Sequence, residues 1–289
     1  MKKSIEKITQ RPARPGMVGD GFRVYNFIPG ANIPQHRVSP FLMLDFNAEY
    51  NFGPSETVKG VGVHPHKGFE TVTIAYKGSV AHHDSTGNSG TINPGDVQWM
   101  TAGAGILHKE YHEKEFSKKG GPFEMVQLWV NLPKKDKGTA PHYQAITNAE
   151  IAKVVLPDNK GSVNVIAGVF NNVKGPASTY SPVNLFDIKL VNKAEVSISI
   201  PATHNTAMLI VNGSAIVNGQ EAPQHSFVLF ENDGEEIAVT ATQDAVLLLV
   251  SGEPINEPIA SYGPFVMNTQ EEIQEAIREF QSGKFGVLN

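Results

Sequence analysis

The chain has no cysteine among its 289 residues. Disulfides, thiolate metal sites and cysteine nucleophiles are therefore excluded, and the absence fits a reducing compartment. Charge is also sparse, with 18 % Asp, Glu, Lys and Arg. A net charge of −5 gives no basic footprint for a phosphate backbone, so direct nucleic-acid binding is not expected. No apolar run approaches the roughly 18 residues of a membrane span, and the basic start MKKSIEKITQRPARPG lacks the apolar core of a secretory signal. Together these absences predict a soluble, cytoplasmic protein.

Glycine and proline, by contrast, recur throughout, with 27 and 19 residues. Between them lie short runs rich in Val, Ile, Phe and Thr, among them FRVYNFI, ETVTIAY, MVQLWVNL, LFDIKLV and AVLLLV. Short strands separated by regular turn signals predict an all-β fold of barrels or sandwiches. TVTIAYKGSVAHHD (71–84) resembles TAMLIVNGSAIVNG (206–219), with Gly78-Ser79 matching Gly213-Ser214 at an offset of 135 residues. The reading is two tandem β-barrels, residues 1–135 and 145–262, joined through LPKKDKGTAPH. One helix is expected over 268–283. Thr269 and Glu272 have the capping-box spacing, Ile273, Ala276, Ile277 and Phe280 form an apolar stripe, and Gly283 is a stop. That stripe, Phe280 included, should dock on the barrels.

Two i, i+2 pairs, one His–His and one His–Glu, carry the chemistry. In GVHPHKGFET, His64 and His66 are two residues apart and share a strand face, and in GILHKEYH the same holds for His108 and Glu110. Two such strands facing one barrel interior would supply three imidazoles and a carboxylate, a donor set suited to Fe, Mn, Co, Ni or Zn with positions left open. Eight of the ten histidines lie within the first 142 residues. Positions 64 and 66 correspond by the repeat offset to Ser199 and Pro201, so the second barrel is expected to lack a metal. Glu70, four residues after His66, is a candidate carboxylate on the same face, either supporting the site or lining the pocket. His82, His83 and His112 are assigned to the surface or to support of the site, Asp96 to a turn, and Phe69, Trp99 and Met100 to the core.

At these residues the sequence resembles the pirin family of the cupin superfamily. HPHKGFET, NPGDVQWMTAGAGILHKE, VQLWVNLP, SGEPINEPI and YGPFVMNT carry the likeness in order along nearly the whole chain. The resemblance implies a bicupin whose N-terminal barrel holds one transition metal through His64, His66, His108 and Glu110. Fe(2+) comes first, with Mn, Co, Ni, Cu or Zn as alternatives. It further implies quercetin 2,3-dioxygenase chemistry in some members, with a flavonol-like small-molecule substrate, O2 as co-substrate, carbon monoxide as a product and Glu110 as catalytic base. In other members it implies an iron-bound co-regulator that assists transcription through a protein partner. A cupin-type sugar or keto-acid isomerisation is a third reading. The chain is expected to be a monomer.

Overall fold

The computed structural model describes residues 1–30 and 32–288. The expected all-β architecture is present, built from period-2 strands with one long helix near the C-terminus. Two compact units occur, and each combines a seven-stranded with a four-stranded antiparallel sheet.

The unit that carries the histidine pairs comprises residues 14–29, 41–148 and 255–289. Its larger sheet runs His142–Ile146, Val97–Thr101, Phe69–Lys77, Gly121–Asn131, Phe41–Phe52, Phe22–Ile28 and Gly16–Val18. Its smaller sheet runs Gly60–His66, Ile106–His112, Val80–Asp84 and Ser89–Ile92. The other unit comprises residues 1–13, 30–40 and 149–254. Its sheets repeat the same arrangement, with Asn205–Asn212, Ala245–Gly252 and Val183–Leu190 at the centre of the larger one.

The units do not follow the chain order expected from the sequence. Residues 1–13 belong with 149–254 because Ile5–Gln10 pairs antiparallel with Ser226–Phe230. Residues 255–289 belong with the first-half strands because Lys67 and Phe265 form a parallel bridge. Both pairings span some two hundred residues, beyond the reach of any local pattern.

The repeat itself is structural. Gly78 and Gly213 both turn the chain at φ +74°, a left-handed conformation that a side chain would strain. Thr73 and Met208 occupy equivalent registers, facing Gln127 and Leu249 respectively on the neighbouring strand. The interiors differ in kind. The second unit is filled by one apolar cluster that includes Phe186, Ile188, Met208, Ile210, Leu247 and Leu249. In the first unit the equivalent strands bury Thr73, Asp45 and Asn47 instead.

The helix Gln270–Gln281 has the predicted capping box, with Thr269 accepting from the Glu272 amide and Glu272 accepting from the Thr269 amide. Ile273 and Ala276 are buried with Ala260, Phe265 and Phe285, whereas Phe280 is 39 % exposed. The helix thus docks through its N-terminal half, and the expected burial of Phe280 is corrected. A short helix, Lys114–Lys119, capped by Glu113, was not foreseen. Among the described residues no helix is long and apolar enough to cross a membrane.

Candidate metal centre

Strand pairing brings the two histidine pairs together. Gly60–His66 and Ile106–His112 are antiparallel neighbours with His108 opposite His64. The ladder is irregular after that pair, so that Glu110 faces Val61. On its other edge Ile106–His112 pairs with Val80–Asp84, which places His82 opposite Glu110 and Asp84 opposite His108. One face of the small sheet therefore presents His64, His108, Glu110, His82 and Asp84.

The donor atoms form two overlapping triads that share His108. His64, His66 and His108 have nitrogens within 4.8 Å of one another, and so do the donor atoms of His82, His108 and Glu110. The three imidazoles expected to act together are brought together. Glu110 groups instead with His108 and His82, while lining the same cavity as His64 and His66.

Hydrogen bonds fix which nitrogens are free. Nδ1–H of His64 donates to the Gly62 carbonyl at 2.8 Å, leaving Nε2 as the ligating atom. Nε2 of His108 and Nδ1 of His66 are buried and lack protein partners. Burial, reinforced by the neighbouring imidazoles, pushes His66 and His108 well below the usual histidine range, so both carry lone pairs at neutral pH. Clustered neutral imidazoles with unpartnered nitrogens are the donor chemistry of a borderline transition metal, and the residues fit such an ion.

Glu110 is held by three donors. Oε1 accepts from Thr73 Oγ1 and Gln98 Nε2, each at 3.2 Å, and Oε2 accepts from Gln127 Nε2 at 2.8 Å. His82, assigned on sequence to the surface or support, is fully buried. Its Nδ1 lies 3.5 Å from His108 Nδ1 and its Nε2 is 3.2 Å from Asp84 Oδ2. Burial works against ionisation of Asp84, but hydrogen bonds from His82, Thr86 and Asn88 outweigh it and hold the carboxyl at about 2. With Nε2–H of His82 on Asp84, Nδ1 of His82 accepts from His108 and leaves Nε2 of His108 for a metal. The i, i+2 parity of His82 and Asp84 could have revealed this relay, since it is the rule that found His64 and His66.

Other expectations divide. Asp96 organises its turn as expected, accepting from the Asn93 and Asn148 amides. His112 lies in an aromatic core against Phe22, Phe52 and Phe123 and bonds the Gly21 carbonyl at 2.8 Å. Glu70 does not line the cavity: it is buried elsewhere and accepts from Thr101 Oγ1 at 2.7 Å. The strand breaks at Lys67-Gly68, so parity counted from His66 does not carry through to Glu70.

A cavity of about 360 Å³ opens beside the histidines, with apolar walls from Phe22, Val24, Met43, Met125 and Trp129. Gly263 and Pro264, at the tip of the C-terminal hairpin, complete its rim. Asp45, Asn47 and Gln127 supply polar groups that the sequence did not single out.

Comparison with known proteins shows similarity in sequence and in fold. Residues 21–130 match the Pirin family model, and residues 185–286 match that of the Pirin C-terminal cupin domain. The chain is 47 % identical over 268 residues to a Pseudomonas aeruginosa protein named "Putative quercetin 2,3-dioxygenase", covering 93 % of each. It is 38 % identical over 256 residues to mouse Pirin, covering 86 % of this chain and 83 % of that one. A crystal structure of quercetin 2,3-dioxygenase from Acinetobacter baumannii superposes with a TM-score of 0.95 at 46 % identity, over the full length of both chains.

Proposed function

The chain belongs to the pirin family, and on that premise we propose that its first-half barrel is a metal-dependent dioxygenase site for flavonols, of quercetin 2,3-dioxygenase type. The observation that carries the reading is the histidine triad beside an apolar cavity with Glu110 at its wall. His64, His66 and His108 would hold the ion, iron in the first instance, and Glu110 is the adjacent carboxylate. Bound there, a divalent ion supplies Lewis acidity that favours an ionised substrate oxygen and a means of engaging O2.

The chain's own residues do the rest. Phe22, Met43, Met125 and Trp129 form a slot for planar rings and exclude water from the reacting carbons. Glu110, fixed by Thr73, Gln98 and Gln127, accepts the proton of the flavonol 3-hydroxyl as general base. The His82–Asp84 pair orients His108. In the overall change both atoms of O2 enter the flavonol, at the two carbons flanking C3. C3 leaves with its own oxygen as carbon monoxide, and an ester of two phenolic acids remains.

The test is anaerobic reconstitution with Fe(2+), addition of quercetin and air, and measurement of carbon monoxide. One carbon monoxide per flavonol consumed is expected. In Glu110→Gln, turnover should fall by roughly 10²–10⁴ with the metal largely retained. Loaded protein that yields no carbon monoxide defeats the dioxygenase reading and leaves a metal-dependent binding protein that acts through a partner.

A further inference from the structure

The interior of the first-half unit carries a row of polar residues that its repeat lacks. Across three adjacent strands Thr73, Gln127 and Asp45 lie side by side, whereas the same register in the other unit holds Met208, Leu249 and Phe186. In the next row Asn47 faces Met125, where the repeat has Ile188 facing Leu247. Asn47 is only 2 % exposed, and neither its Nδ2 nor its Oδ1 has a protein partner. A buried amide with both ends unbonded is unfavourable unless a ligand supplies its partners.

Asn47 also lines the cavity, as does Asp45, two residues earlier on the same face. Asp45 is already engaged by Asn26 Nδ2, which leaves further acceptor capacity on its carboxyl. Both lie on the strand next to Gln127, whose amide donates to Glu110. Polar groups thus run from Glu110 through Gln127 to Asp45 and Asn47 along one side of an otherwise apolar cavity.

We infer that Asn47, with Asp45 beside it, is a recognition subsite for a hydroxyl group carried by an aromatic ligand at the end that faces this strand. A hydroxyl is one donor with two acceptor positions, so it can accept from Asn47 Nδ2–H while donating to Asn47 Oδ1 or to Asp45. A ligand with only apolar atoms at that end would leave the amide buried and unbonded, so the site selects polyhydroxylated over unsubstituted rings. The inference rests on the reading of the cavity as an aromatic-substrate pocket.

Quercetin and 3-hydroxyflavone share the group that approaches the metal and differ in their ring hydroxyls. Their affinities for the metal-loaded protein, measured anaerobically by calorimetry, should favour quercetin by about tenfold in the native chain, the order one buried hydrogen-bonding group provides. Asn47→Leu should remove most of that preference while leaving 3-hydroxyflavone affinity and metal stoichiometry within about twofold. The repeat tolerates a branched aliphatic residue at this register, and Asn47→Ser provides a smaller polar variant should the leucine disturb folding. A native protein without hydroxyl preference, or variants that keep it or lose both ligands equally, overturns the subsite. Hydroxyl-dependent binding without carbon monoxide release overturns the dioxygenase reading alone and upholds the subsite.

Discussion

The gathering of His64, His66 and His108 was legible because strand parity is a hard geometric rule, whereas Glu110, beyond the one irregularity in the ladder, groups with His108 and His82. Asn47 was not legible, since a single Asn in the run FLMLDFN carries no spacing signal and its isolation emerges only from packing. Glu70 illustrates a failure of parity across a turn, and its true setting has a measurable consequence. Burial raises its carboxyl from 4.5 to about 7, with Thr101 giving only partial relief. Between these values the folded state keeps a proton that the unfolded state has lost, so stability falls as pH rises through the window and is level on either side. The loss amounts to roughly 3 kcal/mol at most. Glu70→Gln copies the neutral acid, so between pH 5 and pH 8 its denaturation midpoint should fall less steeply than that of the native protein, the buried Asp45 carboxyl, raised to about 6, contributing to both. Parallel pH slopes in the two proteins would place the titration elsewhere.

Among elements, the C-terminal hairpin and helix were read in outline only. The capping box and stripe located the helix, but the sequence could not say which end of the stripe would be covered. The structure ties this segment to the histidine-bearing loop through two lysines. Lys67 donates to the Ala104 carbonyl and to Glu279, both at 2.7 Å, and Lys137 donates to the Gly68 and Val266 carbonyls. Gly68 has φ +87° and meets the Val266 backbone where a Cβ would stand, so the close approach requires glycine. Ile273 packs with Ala260 and Phe265 of the hairpin whose turn carries Pro264, a residue of the cavity rim. Ile273→Ala should cost about 2–5 kcal/mol in urea denaturation. Phe280→Ala should cost less than half as much, because that ring is partly solvated. Equal losses would mean that the helix docks along its whole stripe.

At the scale of the molecule, one chain contains two versions of the same sheet pair, one with a polar interior and one with an apolar interior. The repeat was visible because Gly-Ser turns and alternating strands recur at a fixed offset. The exchange of terminal segments was not, because Ile5–Gln10 pairs with a strand more than two hundred residues away and no local pattern encodes such a partner. The contrast between interiors predicts where metal binds. Ser199 and Pro201, at the repeat positions of His64 and His66, offer no imidazole, and both are exposed. His204, nearby, is buried with its Nδ1 3.2 Å from Ser251 Oγ, and it belongs to no group of three potential metal ligands among the described residues. The protein should therefore hold about one transition-metal ion per chain. His64→Ala combined with His66→Ala removes two of three imidazoles from the only all-histidine group among the described residues, and elemental analysis should then find almost none. His204→Ala should leave the metal content at the native value. Metal retained in the double variant, or lost with His204, would move the site out of the first-half barrel. Far-ultraviolet circular dichroism on the same samples checks that both variants are folded.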